Sequence, residues 1–104
     1  MNIFHVVLPK KWAEVVGKDF YEPESLATEG FIHCSFESQV EAVLKRYFAG
    51  RESVLILKID TDKLLSKLVK EPSTGGELYP HLYGRLNRSA VVSVEERRLA
   101  TTEA

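Results

Sequence analysis

The apolar positions of this chain change period several times, and each change marks an element. Ile3 to Leu8 is apolar or β-branched at every position except His5 and is closed by Pro9, which predicts a strand. Pro9 suits the first turn of a helix over Lys10 to Val16. There Trp12, Val15 and Val16 recur at i, i+3 and i+4, and Gly17 stops the run. Glu24 to Glu29 predicts a short helix with Gly30 as its left-handed cap. Phe31 to Ser35 is a second strand. Ser35 can cap a helix running to Phe48, because Val40, Val43, Leu44, Tyr47 and Phe48 fall on one helical face. Val54 to Ile59 is almost continuously apolar, the pattern of a strand buried on both faces. Asp60 can cap a turn over Asp62 to Leu65, and Leu68 to Glu71 is a further strand. Pro72-Ser73-Thr74-Gly75-Gly76 is a loop, Pro80 holds Tyr79 extended, and Ala90 to Val94 is a late strand.

Strands and short helices alternate without a regular βαβ order, which favours an α+β fold. No repeat or linker divides the chain, so residues 1–99 are expected to form one domain and residues 100–104 a frayed tail. Composition narrows the function. Hydrophobic residues at 44% and charged residues at 28% exclude intrinsic disorder. A net charge of −1 argues against an extended nucleic-acid surface. The one cysteine, Cys34, excludes an intramolecular disulfide and suits a reducing cytoplasm. The N-terminus lacks a signal-peptide pattern, and the apolar runs are too short to span a bilayer, so no membrane partner is expected.

Candidate chemistry concentrates on three histidines, His5, His33 and His81, each inside a segment that otherwise reads as core or tight turn. A polar group interrupting an apolar strand has a desolvation cost, so it calls for a partner or a ligand. Satisfied structural histidines and a functional cluster are both open on this pattern. Strand alternation puts Phe31, His33 and Ser35 on one face, with Ile32 and Cys34 on the other. If Ile32 and Cys34 face the core, His33 and Ser35 line a cleft, and the thiol is not paired with His33. Histidine spacings of 28 and 48 residues, with no short His/Cys cluster, make a zinc hydrolase a low-ranked alternative, and no metal is assigned. Glu71 and Glu77 flank the glycine loop and could act as a base or orient a hydroxyl. Tyr79 and Tyr83 could stack on a ring, and Arg85 and Arg88 could meet a phosphate. For each of these the plain alternative is packing or solvated charge.

Phe4-His5, Ser25 to Ser35 containing Gly30-Phe31-Ile32-His33-Cys34-Ser35, Tyr47-Phe48 and Pro80-His81-Leu82-Tyr83-Gly84 together resemble the domain of unknown function 952 family. The resemblance runs from about Ile3 to about Val92. That family is grouped with the ADP-ribosyltransferase-like fold, on the RNA 2′-phosphotransferase side. The resemblance therefore implies a bent, split β-sheet with short flanking helices and a nucleotide-sized cleft. It implies that His5 holds a ribose and that His33, Ser35, Tyr83 and Arg85 contact a nucleotide. It also implies His33, His81 and Glu77 as catalytic candidates and NAD as a possible cofactor. The chain departs from the wider group in having His5-Val6-Val7 where His-Gly-Thr is usual, and in lacking a glutamate within Ala90 to Val94. Binding of or transfer from NAD or ADP-ribose and a non-catalytic nucleotide-binding module are the two main readings.

Overall fold

The computed structural model describes residues 1–99; the tail expected at 100–104 lies outside the described residues. The fold is α+β, built from short antiparallel strands with a few short helices. The strands are β1 (Asn2–Val7), β2 (Phe20–Tyr21), β3 (Ile32–His33), β4 (Ser53–Asp60), β5 (Lys67–Pro72), β6 (Leu78–Tyr83), β7 (Leu86–Asn87) and β8 (Val91–Arg98). The helices are α1 (Pro9–Ala13), α2 (Glu24–Glu29) and α3 (Val40–Tyr47). One sheet has the order β1-β4-β8, a second β3-β6-β5, and β2 pairs with β7 in a small ribbon.

The central strand of the first sheet is β4, as its apolar run predicts. Val54 and Ile56 pack with Val6, Val40 and Leu44 under α3. Leu57 and Ile59 take the opposite face, in the main core with Ile3, Val7, Tyr21, Ile32, Leu82 and Leu86. Both faces of β4 are thus covered, which is why its sequence does not alternate.

The two larger sheets meet where the chain after β3 changes partner. Ile32 and His33 pair with Leu82 and His81. Cys34 N–H still donates to the Pro80 carbonyl at 3.1 Å, but Pro80 has no N–H to return the bond. One residue later Ser35 bonds Phe4 in both directions, at 2.7 and 2.8 Å. A proline inside a central strand is uncommon. Here it marks the point where β3 leaves β6 for β1 and joins the sheets.

Three local readings change. The late strand extends to Arg98, so Glu95 and Glu96 lie within β8 rather than after it. Leu78 to Tyr83 is a central strand, although its proline obscures the pattern. Ser35 does not cap the third helix: its backbone is paired with Phe4, and the turn begins one residue later, at Phe36. A 3₁₀ turn at Glu37–Gln39 leads into α3 instead. Gln39 closes it by accepting from Phe36 N–H at 2.9 Å and donating to the Leu78 carbonyl at 2.7 Å. By contrast, Pro9 opens α1, and Gly30 ends α2 in the left-handed region at φ 89°.

Candidate functional site

At the seam between the sheets is a cleft of about 630 Å³. Its walls include His5 and Val6 from β1, Glu29 at the end of α2, His33 to Ser35, Val43 and Tyr47 from α3, Ser73 and Thr74 from the β5–β6 loop, and Tyr79 from β6. A volume of this size suits a drug- or nucleotide-sized ligand.

His33 reaches the cleft by strand alternation. Ile32 and Cys34 point into the core, at 0% and 3% exposure, so His33 points out, as expected from the sequence. Its Nε2 lies 3.1 Å from both carboxylate oxygens of Glu29. The two side chains are about half exposed, so the pair faces solvent. Ser35 also lines the cleft but is buried. Burial pushes the Cys34 thiol up to about 12, which keeps it protonated at neutral pH and unreactive as a nucleophile.

His5 is turned inward. Its Nδ1–H donates to the His33 carbonyl at 2.6 Å, since a carbonyl can only accept. That fixes the tautomer, leaving Nε2 to accept from the Tyr21 hydroxyl at 2.8 Å. Burial drives the His5 pKa down to about 4, opposed by the bond to His33, so the ring is neutral near pH 7. Both nitrogens are engaged within the protein. The ring ties β1 to the strand that carries His33, so in this structure His5 supports the cleft wall rather than presenting a free nitrogen to it.

His81 sits across from His33 in the strand register, with the rings 5.4 Å apart and edge-on. Phe31 stacks over His81 at 4.1 Å and also touches His33 and Tyr83. His81 Nδ1 lies 2.8 Å from Glu71, and Tyr83 donates to the same carboxylate oxygen. These bonds hold Glu71 below the usual carboxylate range, Tyr83 contributing first, and Glu71 in turn raises the Tyr83 phenol. His81 is buried and its Nε2 has no partner among the described residues. The carboxylate thus fixes one nitrogen of the imidazole and leaves the other buried beneath the surface. The group lies beside the cleft, as a cross-strand neighbour of its lining residue His33.

The histidines therefore converge, but in three roles. Not every other candidate joins them. Glu77 is exposed just before β6 and outside the cleft lining. Arg85 stacks on Phe20 at 3.7 Å, and Arg88 approaches Trp12 at 5.7 Å; both belong to the region around the β2–β7 ribbon. Tyr83 contacts the Glu71 group instead of the cleft. Glu29 is the main residue that sequence reasoning missed, although it lies four residues before His33, because the intervening Gly30 turn disguises the approach. Among the described residues no three His, Cys, Asp or Glu side chains form a metal-ligand group, so the zinc alternative finds no assembled site there. No helix among them is long and apolar enough to cross a membrane.

Residues 6–94 match the family model described as protein of unknown function (DUF952). The chain belongs to that family. The DUF952 chain is also similar to the crystal structure of protein CC0527 from Caulobacter crescentus. That comparison gives a TM-score of 0.83 and 26% identity, over 92% of this chain and 85% of that one. The solution NMR structure of CC0527 gives a TM-score of 0.76 and 27% identity, over 94% and 84%. No curated protein matches the sequence. CC0527 carries the same α+β arrangement over most of its length.

Proposed function

We propose that this protein binds a nucleotide of the NAD or ADP-ribose class in the seam cleft, on a fold of the ADP-ribosyltransferase-like type. The observation that carries the reading is the half-exposed Glu29–His33 pair on the wall of a cleft of about 630 Å³. A carboxylate beside an imidazole can accept hydrogen bonds from a ribose diol while the ring donates to a neighbouring oxygen. Val6, Val43 and Phe48 supply apolar wall for a base. His5 acts indirectly, by holding the His33 carbonyl and so the orientation of that strand.

Glu77 stands outside the cleft lining, and so do Glu95 and Glu96 on the edge strand β8. That distribution favours binding without transfer. An NMR titration with NAD, ADP-ribose and 2′-phosphorylated nucleotides tests the reading. Shifts centred on His33 and Glu29 are expected, and their absence at millimolar ligand overturns it. Release of nicotinamide from NAD would replace the binding module with an enzyme, a hydrolase if water takes the ADP-ribosyl group and a transferase if another acceptor does.

A further inference from the structure

Opposite the Glu29–His33 wall in chemical character, the cleft has a second polar wall without a carboxylate among its lining residues. Tyr47 at the end of α3 shares a 2.7 Å hydrogen bond with Thr74 Oγ1, tying the helix to the β5–β6 loop. Ser73 and Thr74 line the cleft there with Tyr47 and Tyr79. Tyr79 is 6% exposed, and its hydroxyl is buried with no hydrogen-bond partner among the described residues. A buried hydroxyl left unpaired is unfavourable, and an acceptor brought by a ligand removes that cost. Arg46, beside Tyr47 in sequence, holds its guanidinium 6.0 Å from the Tyr47 ring centroid. Tyr79 is also the first cause that holds the Arg46 pKa above its ordinary value. The ion pairs among the described residues involve His33, His81 and Arg97, so Arg46 is not neutralised by a carboxylate there.

An unused buried hydroxyl and two further hydroxyls thus gather at one wall, and a cation stands beside its residue Tyr47. We propose that this wall is a phosphoryl subsite, with Arg46 supplying the charge and the planar donor fork, and Tyr79, Tyr47 and Thr74 supplying hydroxyl contacts. Arg46 is an exposed side chain beside Tyr47, so it can swing to share an anion with the Tyr79 hydroxyl. The cleft is then polarised, with the carboxylate–imidazole pair suited to a ribose and the arginine wall to a phosphate or pyrophosphate. The assignment replaces Arg85 and Arg88, whose guanidinium groups stack elsewhere. It rests on the nucleotide reading only in taking the phosphoryl group to be the nucleotide's own.

Calorimetric titration of the wild type, Arg46→Gln, Tyr79→Phe and Arg85→Gln with adenosine, ADP-ribose and inorganic pyrophosphate tests the subsite. Loss of a charge-assisted contact should weaken ADP-ribose binding about tenfold or more in Arg46→Gln, and loss of a neutral one severalfold in Tyr79→Phe. Arg85→Gln should bind as the wild type does, and adenosine should not distinguish the variants. Circular dichroism melts identify any loss due to unfolding. Wild-type ADP-ribose affinity in a folded Arg46→Gln protein overturns the subsite while leaving the nucleotide reading in place. Arg46-dependent pyrophosphate binding with no response to any nucleotide keeps the subsite and overturns the nucleotide reading. No binding of any probe overturns both.

Discussion

The buried, neutral His5 makes a measurable demand on stability. Its pKa falls from 6.5 to about 4 in the folded protein, chiefly because burial disfavours the imidazolium. The unfolded chain therefore binds the proton first as pH drops. Stability from this group is whole above the unfolded pKa and declines as pH falls through the window between 6.5 and about 4. A difference of this size corresponds to about 3 kcal/mol in full, of which about 2 kcal/mol is lost by about pH 5. His5→Gln removes the titration while keeping a donor for the His33 carbonyl and an acceptor for Tyr21. Urea denaturation of both proteins at steps from about pH 7.5 to pH 4.5 isolates the effect, because the carboxylates common to both cancel in the difference. The wild type should lose about 2 kcal/mol more than the variant between about pH 7 and pH 5, with m-values unchanged. Parallel stability curves for the two proteins would refute a buried neutral His5, whatever the absolute stability of the variant.

Four further outcomes follow from the same geometry. Tyr21→Phe removes the donor to His5 Nε2 and should cost about 1–3 kcal/mol by urea unfolding. His33→Ala alters a half-exposed side chain, so stability should change by no more than about 0.5 kcal/mol while nucleotide binding weakens severalfold; a loss of several kcal/mol with binding intact would make His33 structural. Glu71→Gln should let the Tyr83 phenol titrate closer to its ordinary range, read by ultraviolet difference absorbance. Gly84→Ala should destabilise by about 1–3 kcal/mol, because Gly84 has φ 146° and an added Cβ would press on Ser66 Oγ and lie 2.8 Å from its Cβ.

The sequence by itself determined what depends on local pattern. Both faces of Val54 to Ile59 had to be covered because every position is apolar or nearly so. Pro9 and Gly30 set helix ends through backbone constraints that hold in any tertiary setting. Alternation alone turned His33 away from Ile32 and Cys34; Cys34 still reaches the cleft wall, and burial is what keeps its thiol protonated. Only tertiary structure decided which groups meet. His5 looked like a ligand-facing interruption of a strand, yet its nitrogens are spent on a carbonyl 28 residues away and a hydroxyl 16 residues away. Glu71 and Glu77 were equivalent flanks of one loop. The register of β5 on β6 brings only Glu71 to His81 and Tyr83. Such pairings follow from strand register and packing between distant segments, and a single chain's pattern carries no record of either.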